Sequence, residues 1–166
     1  ALPAHEAERI RRAWMRGELG PEELVRLGDV SRAPPAEILA RRAQEIAAEI
    51  APYGDSIPAL QRLRQRGFRL AIVSNVIAPA AVGLRRLFGD HVNCFVLSCE
   101  VGATKPDQRM FQALVGALGI MPQRILMIGD GKRADVRGAQ ECGLRAQLID
   151  RSGREPDAIH SLEQLP

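Results

Sequence analysis

The 166-residue sequence contains only six aromatic residues, four Phe, one Tyr and one Trp, and only three cysteines. So few aromatics supply no stacking platform for single-stranded nucleic acid. The net charge of +3 comes from arginines spread along the chain, not gathered into a patch. Arg9, Arg11 and Arg12, then Arg41 and Arg42, then Arg62, Arg64 and Arg66 fall on stretches of helical periodicity and read as solvated faces. No apolar run approaches the roughly 20 residues of a membrane span, and we expect no signal peptide. Neither nucleic-acid nor membrane partners are therefore expected. Cys94, Cys99 and Cys142 are odd in number and lack metal-ligand spacing, so we read reduced thiols, two of them buried, in a cytoplasmic, reducing setting. His5, His91 and His160 are scattered and read as surface or boundary residues. Lysine is scarcest among the ionised residues: of 23 basic residues only Lys105 and Lys132 are lysine. In a chain so committed to arginine, each ammonium hints at a particular need.

What is present describes an ordinary globular composition, 46% apolar and 26% charged, long enough to bury a real core. Apolar residues recur at helical spacing over 5–16, 21–28 and 35–50, punctuated by Gly17, Gly20-Pro21 and Pro34-Pro35. No segment before residue 68 reads as a strand. From there the pattern alternates: helix 57–66, strand 68–73, helix 78–88, strand 94–97, helix 107–118, strand 124–128, helix 133–141 and strand 146–149. Nearly continuous apolar strands alternating with helices predict an α/β fold, a Rossmann-like parallel sheet covered on both faces. We divide the chain into a helical segment at 1–52, an α/β core at 53–150 and a polar C-terminal tail at 151–166, with one helical turn near 161–165.

In an open parallel sheet, ligands bind beyond the carboxyl ends of the strands. Residues 126–135 read Leu-Met-Ile-Gly-Asp-Gly-Lys-Arg-Ala-Asp, which sets Asp130 and Asp135 at a strand mouth, where two carboxylates repel unless a cation neutralises them. Such a pair suits Mg²⁺, which takes one or two protein carboxylates and fills its other positions with water and substrate oxygens. An N-cap and a turn aspartate are the simpler alternative. Ser74 and Asn75 end a second strand and offer a hydroxyl and an amide suited to phosphoryl oxygens. Lys105 follows a third, and its ammonium can offset phosphate and carboxylate charge.

Together Leu70-Ala-Ile-Val-Ser-Asn, Glu100-Val-Gly-Ala-Thr-Lys-Pro-Asp and Ile128-Gly-Asp-Gly-Lys-Arg-Ala-Asp-Val-Arg-Gly-Ala closely resemble the second, third and fourth motifs of the haloacid dehalogenase-like (HAD) hydrolase superfamily. The resemblance covers about residues 52–150, and Arg16-Gly-Glu-Leu-Gly-Pro-Glu-Glu-Leu looks like part of that family's small helical cap. It implies Mg²⁺-dependent phosphoryl transfer through an aspartyl-phosphate. Ser74 and Lys105 would then hold the phosphoryl group of a small phosphorylated substrate. Asp130 would ligate Mg²⁺, and Asp135 would support Lys105 or the metal shell. The Gly-Asp form of the fourth motif resembles the phosphatases more than the metal-free dehalogenases, which stay a minor alternative.

The family's first motif, a central strand ending in Asp-x-Asp, supplies the nucleophile and the general acid/base. None of the eight aspartates lies two residues from another, and none before Asp130 follows an apolar strand. The nucleophile is absent. The chain is expected either to be the downstream part of a longer phosphatase or to be a non-catalytic binding protein built on the same core. A sheet lacking its middle strand either closes up, takes a segment from elsewhere, or invites strand exchange between two copies.

Overall fold

The computed structural model describes residues 4–19 and 36–166, so the helix expected over 21–28 lies outside the described residues. Helices α1 (Ala4–Met15) and α2 (Ala36–Glu49) precede the core. The core runs α3 (Ser56–Gln65), β1 (Ala71–Ser74), α4 (Ala78–Phe88), β2 (Cys94–Leu97), α5 (Ser98–Val101), α6 (Gln108–Leu118), β3 (Leu126–Gly129), α7 (Gly138–Glu141) and β4 (Arg145–Leu148). A wide helical turn, Lys132–Arg137, feeds α7. The α/β class and the parallel pairing hold as expected. The one-turn helix α5 is new, because four residues between a strand and Gly102 are too few to show a periodicity.

Helix α6 shows why the core forms. The Asp107 side chain caps it by accepting from the Arg109 N–H at 2.9 Å, and Gly119, at φ +61°, ends it. Between the caps, Met110, Phe111, Leu114 and Leu118 recur on one face and are all buried. They form one cluster with Val96 of β2, Met127 of β3 and Leu144 before β4. At about 1.5–3 kcal/mol per large apolar side chain, this one stripe is a major source of stability.

The sheet is in two halves. β1 pairs with β2, Ser74 opposite Leu97, and β3 pairs with β4, Gly129 opposite Leu148, both in parallel register. No strand joins the halves among the described residues, and β1 and β3 have not closed up against each other. A cleft of about 1290 Å³ lies between them.

The first helices meet the core through close backbone approaches. The buried Ser98 hydroxyl donates to the Met15 carbonyl at 2.6 Å and accepts from the Val76 N–H at 2.9 Å. Helix α2 lies so near α4 that a side chain at Gly83 would meet the Ala47 carbonyl at 2.5 Å. The cysteines are all half-buried, so the expectation of two buried thiols is corrected. Burial still pushes each thiol above its ordinary value, with Glu100 adding to the effect at Cys99 and Glu141 at Cys142. No helix among the described residues is long and apolar enough to cross a membrane.

Residues 151–166 are polar, yet they are anchored. Asp55 Oδ2 accepts from the Arg151 guanidinium at 2.8 Å, the Ser161 hydroxyl at 2.9 Å and the Leu162 N–H at 2.8 Å. Arg62 adds a hydrogen bond to the Leu162 carbonyl at 3.0 Å. The Arg151 guanidinium beside Asp55 holds that carboxyl down at about 2, against an ordinary 3.8. A depressed folded value contributes stability that is present above the ordinary value and lost as the pH falls through about 2. We therefore expect Asp55→Ala to lower unfolding free energy at pH 7 by about 2–3 kcal/mol. The deficit should shrink between pH 4 and pH 2 in urea titrations; a deficit that is constant over that range would contradict the clamp.

Candidate active site

The site grows from the loop after α5. Gly102, at φ +72°, turns the chain out of that helix, and the Asn75 amide then grips the Lys105 backbone from both sides. Asn75 Oδ1 accepts from the Lys105 N–H at 2.8 Å, and its Nδ2 donates to the Lys105 carbonyl at 3.1 Å. The ammonium is thereby aimed into the protein. Lys105 Nζ donates to the Val73 carbonyl at 2.8 Å and lies 2.6 Å from Asp135 Oδ1, with only 9% and 7% of the two side chains exposed. A compact ammonium with three donors can serve two acceptors on different elements, which a planar guanidinium fits poorly.

Asp135 is held equally firmly. Its Oδ2 accepts from the Gly131 N–H at 2.9 Å, while the N–H groups of Asp135 and Val136 both reach back to the Gly131 carbonyl. That shared acceptor widens the turn and swings the carboxylate inward over Gly129. Asp130 behaves differently: it is exposed and lines the cleft at the end of β3. Ser74 ends β1 beside Asn75.

Lys105 is thus in direct contact with both Asp135 and Asn75, while Ser74 adjoins Asn75 and Asp130 follows the last residue of β3. The amide of Asn75, expected to face phosphoryl oxygens, is engaged with the Lys105 backbone. Lys132, the other hinted ammonium, is an exposed partner of Glu155 at 2.6 Å, a surface pair of small energetic value. Sequence reading had no signal for the Val73 carbonyl as an acceptor, since backbone groups carry no letter.

The donor set bears on a cation. Among the described residues no three His, Cys, Asp or Glu side chains converge as a metal cluster. Asp130 offers an exposed carboxylate, and both oxygens of Asp135 already contact Lys105 or Gly131. One accessible carboxylate with a second held close behind suits Mg²⁺, which keeps several waters, better than a metal needing an all-protein cage.

A parallel α/β core that gathers an ammonium, two carboxylates and a hydroxyl at the carboxyl ends of its strands carries them where open parallel sheets bind ligands. The pattern of the haloacid dehalogenase-like hydrolases matches residues 4–143, and the chain belongs to that family. It is 30% identical over 172 aligned positions to a phosphatase of Mycobacterium tuberculosis, spanning 95% of this chain and 78% of that protein. It is 35% identical over 109 residues to a phosphoserine phosphatase of Thermus thermophilus, 63% of this chain but only 43% of that enzyme. The fold matches a crystal structure of a HAD phosphatase from Thermococcus onnurineus with a TM-score of 0.68 at 30% identity, over 81% of this chain and 64% of that one. The chain thus spans under half the length of its Thermus relative.

Proposed function

We propose that the intact protein is a Mg²⁺-dependent phosphatase of small phosphorylated substrates, and that this chain carries its phosphate- and cation-binding half. The observation that carries the reading is Lys105, buried between the Val73 carbonyl and Asp135 at the exit of β1. A charge so costly to bury is retained where it has work to do on another charge. The phosphatases among the relatives support the same reading.

In this scheme Ser74 donates to a phosphoryl oxygen and Lys105 offsets the phosphoryl charge, with Asp135 keeping the ammonium in place. Asp130 would hold Mg²⁺, with Asp135 behind it, and the cation would supply further neutralisation of the phosphoryl oxygens. The nucleophile is a carboxylate from outside the described residues, on a strand upstream of Ala1. Its oxygen attacks phosphorus as the P–O bond to the leaving group breaks, and a second carboxyl gives that group its proton. Water then cleaves the acyl phosphate, releasing inorganic phosphate and restoring the carboxylate.

The test is turnover of p-nitrophenyl phosphate by the intact protein with Mg²⁺. Asp130→Asn should cost at least about 100-fold in kcat/KM. An unchanged rate would remove Asp130 from the site. The lack of any Asp-x-Asp pair favours one other reading, a non-catalytic binding protein. It requires that the natively purified protein have the 18.2 kDa mass of this chain and no turnover with Mg²⁺.

A further inference from the structure

We propose that Ser98 is a positioning residue of the phosphate site: its buried hydroxyl fixes the Val76 peptide, and through Val76 and Asn75 it sets where Ser74 and Lys105 present their polar groups. That those groups meet a phosphate rests on the preceding reading; the contacts that link them do not.

The β1–β2 ladder ends with Ser74 opposite Leu97. Beyond it both chains leave the sheet: Asn75 and Val76 lead toward α4, and Ser98 turns into α5. The Ser98 carbonyl then serves the turn of α5, accepting from the Gly102 N–H at 3.0 Å. With the ladder over, the Ser98 side chain takes on the bridging. Its hydroxyl accepts from the Val76 N–H at 2.9 Å and lies 3.0 Å from the Val76 carbonyl.

The third partner is the end of α1. The carbonyls of Arg12, Ala13 and Trp14 accept from the N–H groups of Arg16, Glu18 and Gly17. The Met15 carbonyl, left over from that last turn, accepts from the Ser98 hydroxyl at 2.6 Å. A serine hydroxyl has one proton and two lone pairs. The nearer Met15 carbonyl takes the proton, which keeps a lone pair aimed at the Val76 N–H. A methyl group on Gly17 would run into the Cys99 carbonyl, so the chain leaving α1 has no slack against α5. Ser98 itself is 0% exposed. Alanine would fill most of that space without a polar group to satisfy, so a hydroxyl there points to its bonds rather than its bulk.

Val76 follows Asn75, whose side chain holds the Lys105 N–H and carbonyl. Asn75 in turn follows Ser74. A displaced Val76 peptide would swing Asn75 about the end of β1, moving the Ser74 hydroxyl and the Lys105 backbone together. From the other side, the Gly102 turn that starts the Lys105 loop hangs on the Ser98 carbonyl. One residue therefore braces both phosphate-binding groups, and a misplacement of about 1 Å in such groups can cost about 100-fold in rate.

Amide exchange in the 166-residue chain tests the contacts without turnover. Ser98→Ala should speed exchange at least about tenfold at Val76 and also at Lys105, whose N–H bonds to Asn75 Oδ1. Ile149, bonded to the Gly129 carbonyl in the other half-sheet, should keep its rate. Acceleration at Val76 alone would reduce the hydroxyl to a local bond and overturn the proposal. Equal acceleration at all three amides would make the effect a general loosening and overturn it too. Should Ser98→Ala fail to fold, Ser98→Cys, close in size but a weak hydrogen-bonder, takes its place with the same expected pattern.

The intact protein supplies the second readout. Ser98→Ala should lower kcat/KM for p-nitrophenyl phosphate about 10–100-fold and weaken inhibition by inorganic phosphate. Ser98→Thr, which keeps the hydroxyl, should recover most of the loss wherever it folds. Asp55→Ala loosens the C-terminal clamp without touching these contacts, and should leave both values unchanged in folded protein. Full activity in Ser98→Ala, or an equal loss in Asp55→Ala, would overturn the positioning role. A parent without turnover would refute the phosphatase reading instead, and the exchange pattern alone would then decide whether Ser98 positions Lys105.

Discussion

Lys105→Met should lower the unfolding free energy of this chain by about 3–5 kcal/mol, the largest loss expected of any charge-removing change in the core. The reason lies in what remains. Methionine fits the lysine stem but leaves Asp135, 5% exposed, with a carboxylate whose Oδ1 has no hydrogen-bond donor among the described residues. It also strips the Val73 carbonyl of its ammonium contact. A domain of this size has roughly 5–15 kcal/mol in total, so the variant should unfold at a much lower urea concentration. The double variant Lys105→Met with Asp135→Asn tests the cause. The side-chain amide introduced by Asp135→Asn can still accept from the Gly131 N–H and carries no charge. The double variant should therefore recover a substantial part of the loss, giving a coupling energy of about 1–3 kcal/mol. Additive losses would mean that the two side chains do not sense each other. A single-variant loss under about 1 kcal/mol would mean the pair is hydrated.

The contrast with the surface makes the measurement specific. Lys132 and Glu155 approach to the same 2.6 Å, yet their side chains are 65% and 41% exposed. Lys132→Met should therefore change stability by no more than about 0.5 kcal/mol. Equal distances with unequal burial separate desolvation from proximity as the source of the Lys105 effect.

These residues differ in how far the sequence announces them. Ser74, Asp130 and Lys105 stand out because an apolar strand ends abruptly at a polar group or at the loop beyond it, a local pattern. The alternation of strands and helices is local too, so the element order was legible within a few residues. What was hidden is non-local. Residues 151–166 look like a tail because they are polar, but Asp55 holds Ser161 from 106 positions away, and hydropathy carries no trace of that hydrogen bond. The six-residue, largely apolar stretch starting at Phe68 reads as one strand, yet pairing begins at Ala71. Phe68 contributes to the cleft wall instead, which a strand pattern cannot distinguish from a ladder position. The wide turn at Lys132–Arg137 reads as an ordinary helix start, because one extra residue per turn over so short a span leaves no signature. The partner of Asn75 was hidden for a related reason: its side chain meets the backbone of Lys105, 30 positions on, and no local pattern announces that contact.

Gly129→Ala is the second change with a large expected effect, and it probes the site from the opposite side. A methyl group at Gly129 would sit 2.5 Å from Asp135 Cβ, well inside contact distance. Asp135 cannot swing aside freely, since Lys105 holds one oxygen and the Gly131 N–H the other. Either the carboxylate leaves the ammonium or β3 shifts against the wide turn. Overpacking and the loss of a buried pair point to a cost of about 3 kcal/mol. Gly131→Ala should be milder, because the new methyl would meet Asp135 Oδ2 at 3.0 Å and Ala134 Cβ at 3.3 Å, contacts a small rotation can relieve. Gly54→Ala, with nothing within 4 Å, should stay within about 1 kcal/mol of the parent. If the clash with Asp135 is the cause, Asp135→Ala in the Gly129→Ala background should cost far less than in the parent, since the displaced carboxylate has already lost its partner. The order Gly129, Gly131, Gly54 in urea midpoints, with that sub-additivity, would identify close approach to the carboxylate as the reason glycine ends β3. A reversed order would place the constraint in the backbone turn and free Asp135 from any part in it.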